Sequence, residues 1–590
     1  MSSPSQFHNS CRPAGLSFCR KVKPDGVLHV AVDSRIHQLY KRAIERPLDD
    51  NAAWQLAGAY ARIGANNEAL AWINTAIVLA PLGDYFCIKG KILSQMNTFS
   101  EAAECYECAI KLGTPMSNAS AFLASIYARE PERRATAVSL ILAVIRHNPR
   151  NVFPYVIMAG CLADRTLTEM IAASESILTG VYNKSALYCG IAESLCLRGR
   201  FEEAAESADF VLRHDPKCSY AWFMRGVIAL RGFHDPDAAL YYHMQAAALD
   251  HVWIEAVIGD LLYLGQYENA REQFLSTRAE YRSFLSESDT GSATGSRRPA
   301  LGGKTILARA TMGFGDAILH TRFASLASKN GASVVIQCPR AIRSLFKTSP
   351  GVAGVIPHEE EPGIVDLEIN LEHLGFIYPL AAKGAGLYVP CFFPRPDLIE
   401  KWRSRLPSSE QLRIGIAWHG GPSWQDEPHR RRSIPLACFE SLFQIPNTTW
   451  VSLQKGQGIE ELQAHADIHC VVDIGIGSET ADFADTAAAI AGLDLVISVD
   501  TSIAHLAGSM GKPTFVLLPY TSFWVWSLQG QHTVWYPATT LFRQQTPGEW
   551  TSPMEQIRDR VSELARAHSR LNNLTEEKTR QPAFSAFHAD

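Results

Sequence analysis

Residues 495–514 read LVISVDTSIAHLAGSMGKPT. The run LVISV is apolar but for Ser498 and short enough for a strand buried on both faces, and it stops at Asp500. Thr501 and Ser502 then supply hydroxyls at the point where a helix would begin, and His505 follows one turn inside it. Ala504, Ala507, Gly508 and Ser509 are small, so that helix can lie close on a sheet. Strand, polar turn and helix make up part of a βαβ unit, and open parallel sheets bind ligands at the carboxyl ends of their strands. The unpaired amides and positive end of the helix suit a diphosphate. Taken by itself His505 reads as a satisfied core histidine; in the company of Asp500, Thr501 and Ser502 it reads as part of a binding loop.

The same pattern recurs upstream. TILARA at 305–310 is a strand, 316–329 an amphipathic helix and 333–337 a second strand. Between the first strand and its helix lies TMGFGD, residues 311–316, where Gly313 and Gly315 let the backbone bend and approach a ligand while Asp316 can cap the helix. This is no dinucleotide fingerprint, since its third glycine is missing and no acidic residue follows the second strand. RIGIAW at 413–418 runs into HGGP, and TWVSLQ at 449–454 runs into Lys455 and Gly456. These loops should converge on one crevice.

The amino-terminal half has a different grammar. Pro81, Pro115, Pro149 and Pro216 mark a period of about 34 residues. Small residues fall where two helices of a hairpin must touch: Gly58 with Ala69, Gly90 with Ala102, and Gly226 with Ala238 or Ala239. Over 35–283 this resembles tetratricopeptide repeats, an α-solenoid whose stacked hairpins expose a surface for a partner. The match is poorest at 160–183. Asp235-Pro-Asp237 imitates the Asp-x-Asp of metal-dependent transferases, but it falls in a turn between helices, which explains it better.

Residues 284–301 are rich in Ser, Gly and Thr and read as a flexible linker; 1–34 and 571–590 are polar and unpatterned and read as loose ends. Charge is close to balanced, 55 basic against 60 acidic side chains, which offers no general attraction to nucleic acid or an anionic membrane. No apolar run approaches the roughly 20 residues of a membrane span, and the start of the chain lacks the pattern of a secretory signal, so a cytoplasmic protein without a transmembrane segment is expected. Thirteen cysteines in 590 residues, mostly within apolar helical patterns, read as reduced, buried side chains.

Gly313-Phe-Gly315-Asp316 with Thr321-Arg322-Phe323, then Arg432-Ser433-Ile434-Pro435, Ser452-Leu-Gln-Lys455-Gly456 and Asp500-Thr501-Ser502 followed by His505-Leu506-Ala507-Gly508, resemble the heptosyltransferase-related, family 9-like type of GT-B glycosyltransferases. The resemblance covers about residues 302–566. It implies an α/β GT-B fold of two Rossmann-like lobes, at 302–396 and 397–570, with the helix 554–567 crossing back to the first. The activity implied is transfer of a sugar from a nucleotide-diphosphate donor to a hydroxyl, with the nucleotide sugar as substrate, no cofactor and no metal.

Residue by residue, the resemblance makes Asp316 the catalytic aspartate. Gly313, Gly315, Arg432, Lys455, Asp500, Thr501, Ser502 and His505 become donor or diphosphate ligands. Two of these have a plainer reading beside them, as His505 has: Asp316 as a cap, and Arg432 as the end of a solvated basic loop at 429–432. Trp418, Trp524, Trp526, Trp535 and Tyr536 form an aromatic set that either stacks on a base or sugar or packs the core. Arg322 stands where simpler heptosyltransferases usually carry proline, so the sugar need not be heptose. The repeats would recruit a protein or glycan acceptor. The alternative is a non-catalytic repeat scaffold with a degenerate GT-B domain.

Overall fold

The computed structural model describes residues 33–62, 66–114, 116–178, 182–278, 281, 301–358, 360, 362–378, 390–421, 427–464, 471–478 and 481–580. The expected linker, apart from Leu301, and nearly all of the expected loose amino terminus lie outside them. The chain divides into two compact units, Met1–Ser283 with Glu359–Glu361, and Phe284–His358 with Pro362–Asp590.

In the first unit the helix Asp33–Glu45 is followed by helical hairpins. They pair Asp50–Arg62 with Asn66–Leu79, Gly83–Gln95 with Phe99–Lys111, Met116–Tyr127 with Arg134–His147, and Val152–Cys161 with Leu167–Ile177. Three more pair Lys184–Leu197 with Phe201–His214, Ser219–Gly232 with Pro236–Leu249, and Ile254–Tyr263 with Tyr267–Ser276. Each hairpin packs on the next, giving the expected repeat solenoid. The small residues do the work their spacing suggested: Ala69, Ala102 and Ala239 are fully buried. A methyl on Gly90 would meet the Tyr106 ring at 2.9 Å, and one on Gly226 the His243 ring at 2.3 Å.

In the weak repeat, Val152–Cys161 packs past its short partner onto Lys184–Leu197, where Gly190 admits the Tyr155 backbone. Asp235 is a helix cap, its carboxylate accepting from the Ala238 amide, so its role is the turn and not a metal. Deep in the sixth and seventh hairpins, His243 Nδ1 lies 2.5 Å from Asp260 Oδ2 and Nε2 lies 3.2 Å from the Phe223 carbonyl. Burial raises the Asp260 pKa, against the pull of His243.

The second unit has two parallel sheets. The first contains β1 (Thr305–Arg309), β2 (Ser333–Cys338), β3 (Val352–Pro357) and β4 (Leu367–Asn370), in the order β3-β2-β1-β4. The second contains β5 (Leu412–Ala417), β6 (Thr448–Ser452), β7 (Val471–Val472), β8 (Leu495–Val499), β9 (Thr514–Leu518) and β10 (Thr539–Arg543), in the order β10-β9-β8-β5-β6-β7. Counted within its own lobe, the second sheet has the doubly wound order 3-2-1-4-5-6, whose direction of winding reverses between β5 and β8. These are the two Rossmann-like lobes expected.

Two expectations need correction. The last described helix runs Thr551–Arg580, so residues 571–580 of the expected tail are helical, while 581–590 lie outside the described residues; without apolar periodicity 571–580 gave no helical signal, yet Leu571, Glu576, Glu577 and Lys578 are good helix formers. Nor does its apolar stripe return to the first lobe: Met554, Ile557, Val561 and Ala565 sit in the second lobe's core with Leu412, Ile414, Trp450 and Phe542. Among the described residues no helix is long and apolar enough to cross a membrane.

The repeat packing makes a paired prediction. Gly226→Ala should destabilise the chain by about 1–3 kcal/mol, because the methyl drives His243 off Asp260. Gly259→Ala, in the helix Ile254–Tyr263 with open space around it, should stabilise by about 0.5–1 kcal/mol. Urea unfolding of both variants checks the signs.

Candidate active site

The winding of the second sheet reverses between β5 and β8, and the segments leaving those two strands carry most of the candidate residues. After β5 the chain turns through Trp418, His419, Gly420 and Gly421. Gln454 holds that turn, its carbonyl oxygen accepting from the amides of Trp418 and His419 while its amide donates to the His419 carbonyl. Ser433 Oγ accepts from the Gly420 amide. Over this turn lies Arg432: a Cβ on Gly420 would sit 2.6 Å from Arg432 Nε, and one on Gly421 3.6 Å from Nη2. At position 420 only glycine leaves room for the guanidinium to lie so close to the backbone, whereas the approach at 421 is ordinary contact. Gln454 was no candidate from the sequence, where it was only the end of a strand.

After β8, Asp500 is 7% exposed and accepts from the Trp526 indole N–H at 2.8 Å. Thr501 caps the helix Ser502–Ser509, its hydroxyl accepting from the Ile503 amide, and Ser502 is half-buried at the helix start. One of the amides expected to meet phosphate is therefore satisfied by the protein's own side chain. His505 is buried, with Nδ1 2.8 Å from the Tyr536 hydroxyl and its ring 4.9 Å from the Trp526 ring, centroid to centroid. Burial, then the charges of Arg322 and Arg432, push its pKa down to about 3. It is neutral at physiological pH, so its 3.9 Å approach to Asp500 is not an ion pair.

The first lobe meets this surface with the helix Phe314–Thr321, which packs on Ser502–Ser509. Gly315 makes the approach possible: a methyl there would lie 2.7 Å from His505 Cδ2. Its glycine is explained by a protein side chain and not by a diphosphate. Gly313 is the helix N-cap and is exposed at the rim. Asp316 is therefore not the cap; it lies within the first turn, half-buried. Burial and then the Asp500 charge raise its pKa to about 7, with Arg432 pulling the other way. Asp316, Asp500, Arg432, His505 and Gly315 thus share one seam, with Thr501 and Ser502 beside it.

Lys455 is differently employed. Its ammonium donates to the carbonyls of Ile476 and Ala481 at 2.7 and 2.8 Å, which makes it a strut for that loop. The aromatic set is interior: Trp418, Trp526, Trp535 and Tyr536 are all at most 2% exposed, and Trp524 is half-buried with its ring against Trp535. Packing, not stacking on a ligand, accounts for them. Arg322, read from the sequence only as a departure, locks the seam. It donates to the Trp535 carbonyl and Ser509 Oγ and covers the Tyr536 ring at 4.9 Å. It also stands where the helix expected over 316–329 divides into Phe314–Thr321 and Phe323–Lys329.

The seam's titrating groups act on stability in opposite senses. His320 and His505 fall from an ordinary 6.5 to about 3, so the unfolded chain binds their protons first, and stability is full above about pH 6.5 and lost as pH falls towards 3. Asp316 rises from 3.8 to about 7, so its contribution is present below 3.8 and lost as pH rises through 7. Melting temperatures between pH 4 and 8 should show Asp316→Asn most stabilising at pH 8, and His320→Gln flattening the acid limb.

Residues 192–250 match the family model for the tetratricopeptide repeat. Protein FlbA of Caulobacter vibrioides is 30% identical over 182 residues, which are 29% of this chain and 29% of that protein, so the match spans less than a third of the relative's length. Among solved structures, the glycosyl transferase family 9 protein from Veillonella parvula aligns at 11% identity and a TM-score of 0.34, covering 46% of this chain and 98% of that one. The E. coli ADP-heptose lps heptosyltransferase II aligns at 14% identity and a TM-score of 0.34, covering 46% and 99%. The chain joins tetratricopeptide repeats to an α/β unit of two Rossmann-like lobes.

Proposed function

We propose that the second unit transfers a sugar from a nucleotide-diphosphate donor to a hydroxyl acceptor, and that the repeats recruit a protein or glycan carrying that acceptor. The observation that supports this reading is the meeting of Asp316 from one lobe with Arg432 and Asp500 from the other, at the carboxyl ends of the strands. A carboxyl group at about 7 is matched to general-base work near neutral pH. In the proposed step Asp316 takes the acceptor's proton as its oxygen bonds to the anomeric carbon and the bond to the diphosphate breaks. Arg432 and the amino-terminal end of the helix Ser502–Ser509 take up the charge of the departing diphosphate. Asp500 keeps the base from being too weak. The sugar, the nucleotide and the acceptor are not assigned.

The non-catalytic alternative draws on Lys455 and Thr501, which spend on the protein itself donors and acceptors that a diphosphate site would use. A thermal-shift screen against UDP, GDP, ADP and dTDP, followed by turnover assays with the matching sugars, separates the two. If no nucleotide stabilises the chain and no donor is consumed, the scaffold reading stands. Where turnover is found, Asp316→Asn should lower kcat by roughly 100- to 10,000-fold. The acid limb of the pH profile should lie near 7, moving down in Asp500→Asn and up in Arg432→Gln; an unmoved limb removes Asp316 as the base.

A further inference from the structure

Outside the seam, the repeats bring two thiols together. Cys189 lies in the helix Lys184–Leu197 and Cys218 is the N-cap residue of Ser219–Gly232, the first helix of the following repeat. Their sulfurs are 3.9 Å apart although 29 residues separate them in sequence. A disulfide needs about 2 Å, so bonding requires the two sulfurs to close by about 2 Å from contact. The two differ in environment. Cys189 is 1% exposed, whereas Cys218 is half-buried at the helix mouth. The Cys189 thiol, with the amides of Ala221 and Tyr220, draws the Cys218 pKa down to about 7 against its burial. Cys189 moves the opposite way, well above its ordinary value, through its hydrogen bond with Cys218 and then its burial. One accessible thiolate beside one buried thiol is the arrangement of an attacking and a resolving cysteine.

We propose that Cys218 and Cys189 form an oxidation site that closes to a disulfide across consecutive repeats, with a peroxide as oxidant. The Cys218 thiolate attacks one peroxide oxygen and the O–O bond breaks. Hydroxide leaves and takes up a proton as water, and Cys218 becomes a sulfenic acid. The Cys189 sulfur then attacks the Cys218 sulfur, the S–O bond breaks, and the Cys189 proton leaves with the hydroxyl group as a second water. Two thiols are oxidised by two electrons and one peroxide is reduced to two waters. The new bond ties the first helix of one repeat to the first helix of the next, restraining the sliding between hairpins on which a repeat array's flexibility depends.

The full-length chain exposed to hydrogen peroxide, alkylated and digested without reductant should yield a Cys189–Cys218 linked peptide. Its mass should be lower than the summed peptides by two hydrogens, and the link should be abolished by dithiothreitol. Cys218→Ser places a better capping side chain at the same position, should fold, and should lose the link. Cys189→Ala should leave Cys218 as a sulfenic acid that dimedone traps. Links that join other cysteines first, or a Cys218 that is oxidised no faster than the half-buried Cys87 and Cys108, would overturn the proposal.

Discussion

The second unit depends on the absence of one methyl group. Gly315 lets the helix Phe314–Thr321 descend onto the imidazole of His505, and from that approach the other properties of the seam follow. Pressed between Gly315, Trp526 and Tyr536, His505 is buried, and that burial together with the charges of Arg322 and Arg432 keeps it neutral despite Asp500 at 3.9 Å. The same descent leaves Asp316 half-buried and within reach of the Asp500 charge, and a carboxyl group in that position holds its proton to about pH 7. Arg322 fastens the arrangement from behind through Trp535 and Ser509. Electrostatics at the seam is thus a result of packing.

Much of this was legible in sequence because the signals were local. An apolar run, a polar turn and a line of small residues specify β8 and the helix Ser502–Ser509 from within 15 consecutive positions. The repeat period was equally plain, although the sequence paired Gly90 with Ala102 and Gly226 with Ala238 or Ala239, whereas the atoms nearest a Cβ placed on either glycine belong to the rings of Tyr106 and His243. What failed to show were functions set by neighbours distant in the chain. Lys455 after a strand and beside a glycine has the look of a phosphate ligand, and nothing near it in sequence reveals that the carbonyls of Ile476 and Ala481 claim its ammonium. Gly315 looked like a residue clearing space for a ligand, yet the space is taken by a side chain 190 positions later. Gln454 gave no signal because its partners, His419 and Trp418, belong to another strand's end.

Glycine serves three separate purposes in this molecule. Gly90 and Gly226 let helices of a hairpin close on an aromatic ring, Gly315 lets two lobes meet, and Gly420 lets a guanidinium lie along the backbone. In each case a side chain occupies the volume that a Cβ would need. A glycine-rich loop at the end of a strand is therefore weak evidence for a ligand until the protein's own side chains have been placed.

The closing helix Thr551–Arg580 stays with the second lobe, and this has a topological consequence. A returning helix would stitch the lobes together twice; among the described residues the polypeptide passes from one to the other a single time, after Tyr378 and before Cys391. Among the described residues each lobe is consequently one length of chain. Severing that passage would leave two fragments whose reunion relies wholly on non-covalent surface complementarity, the condition under which split proteins reassemble.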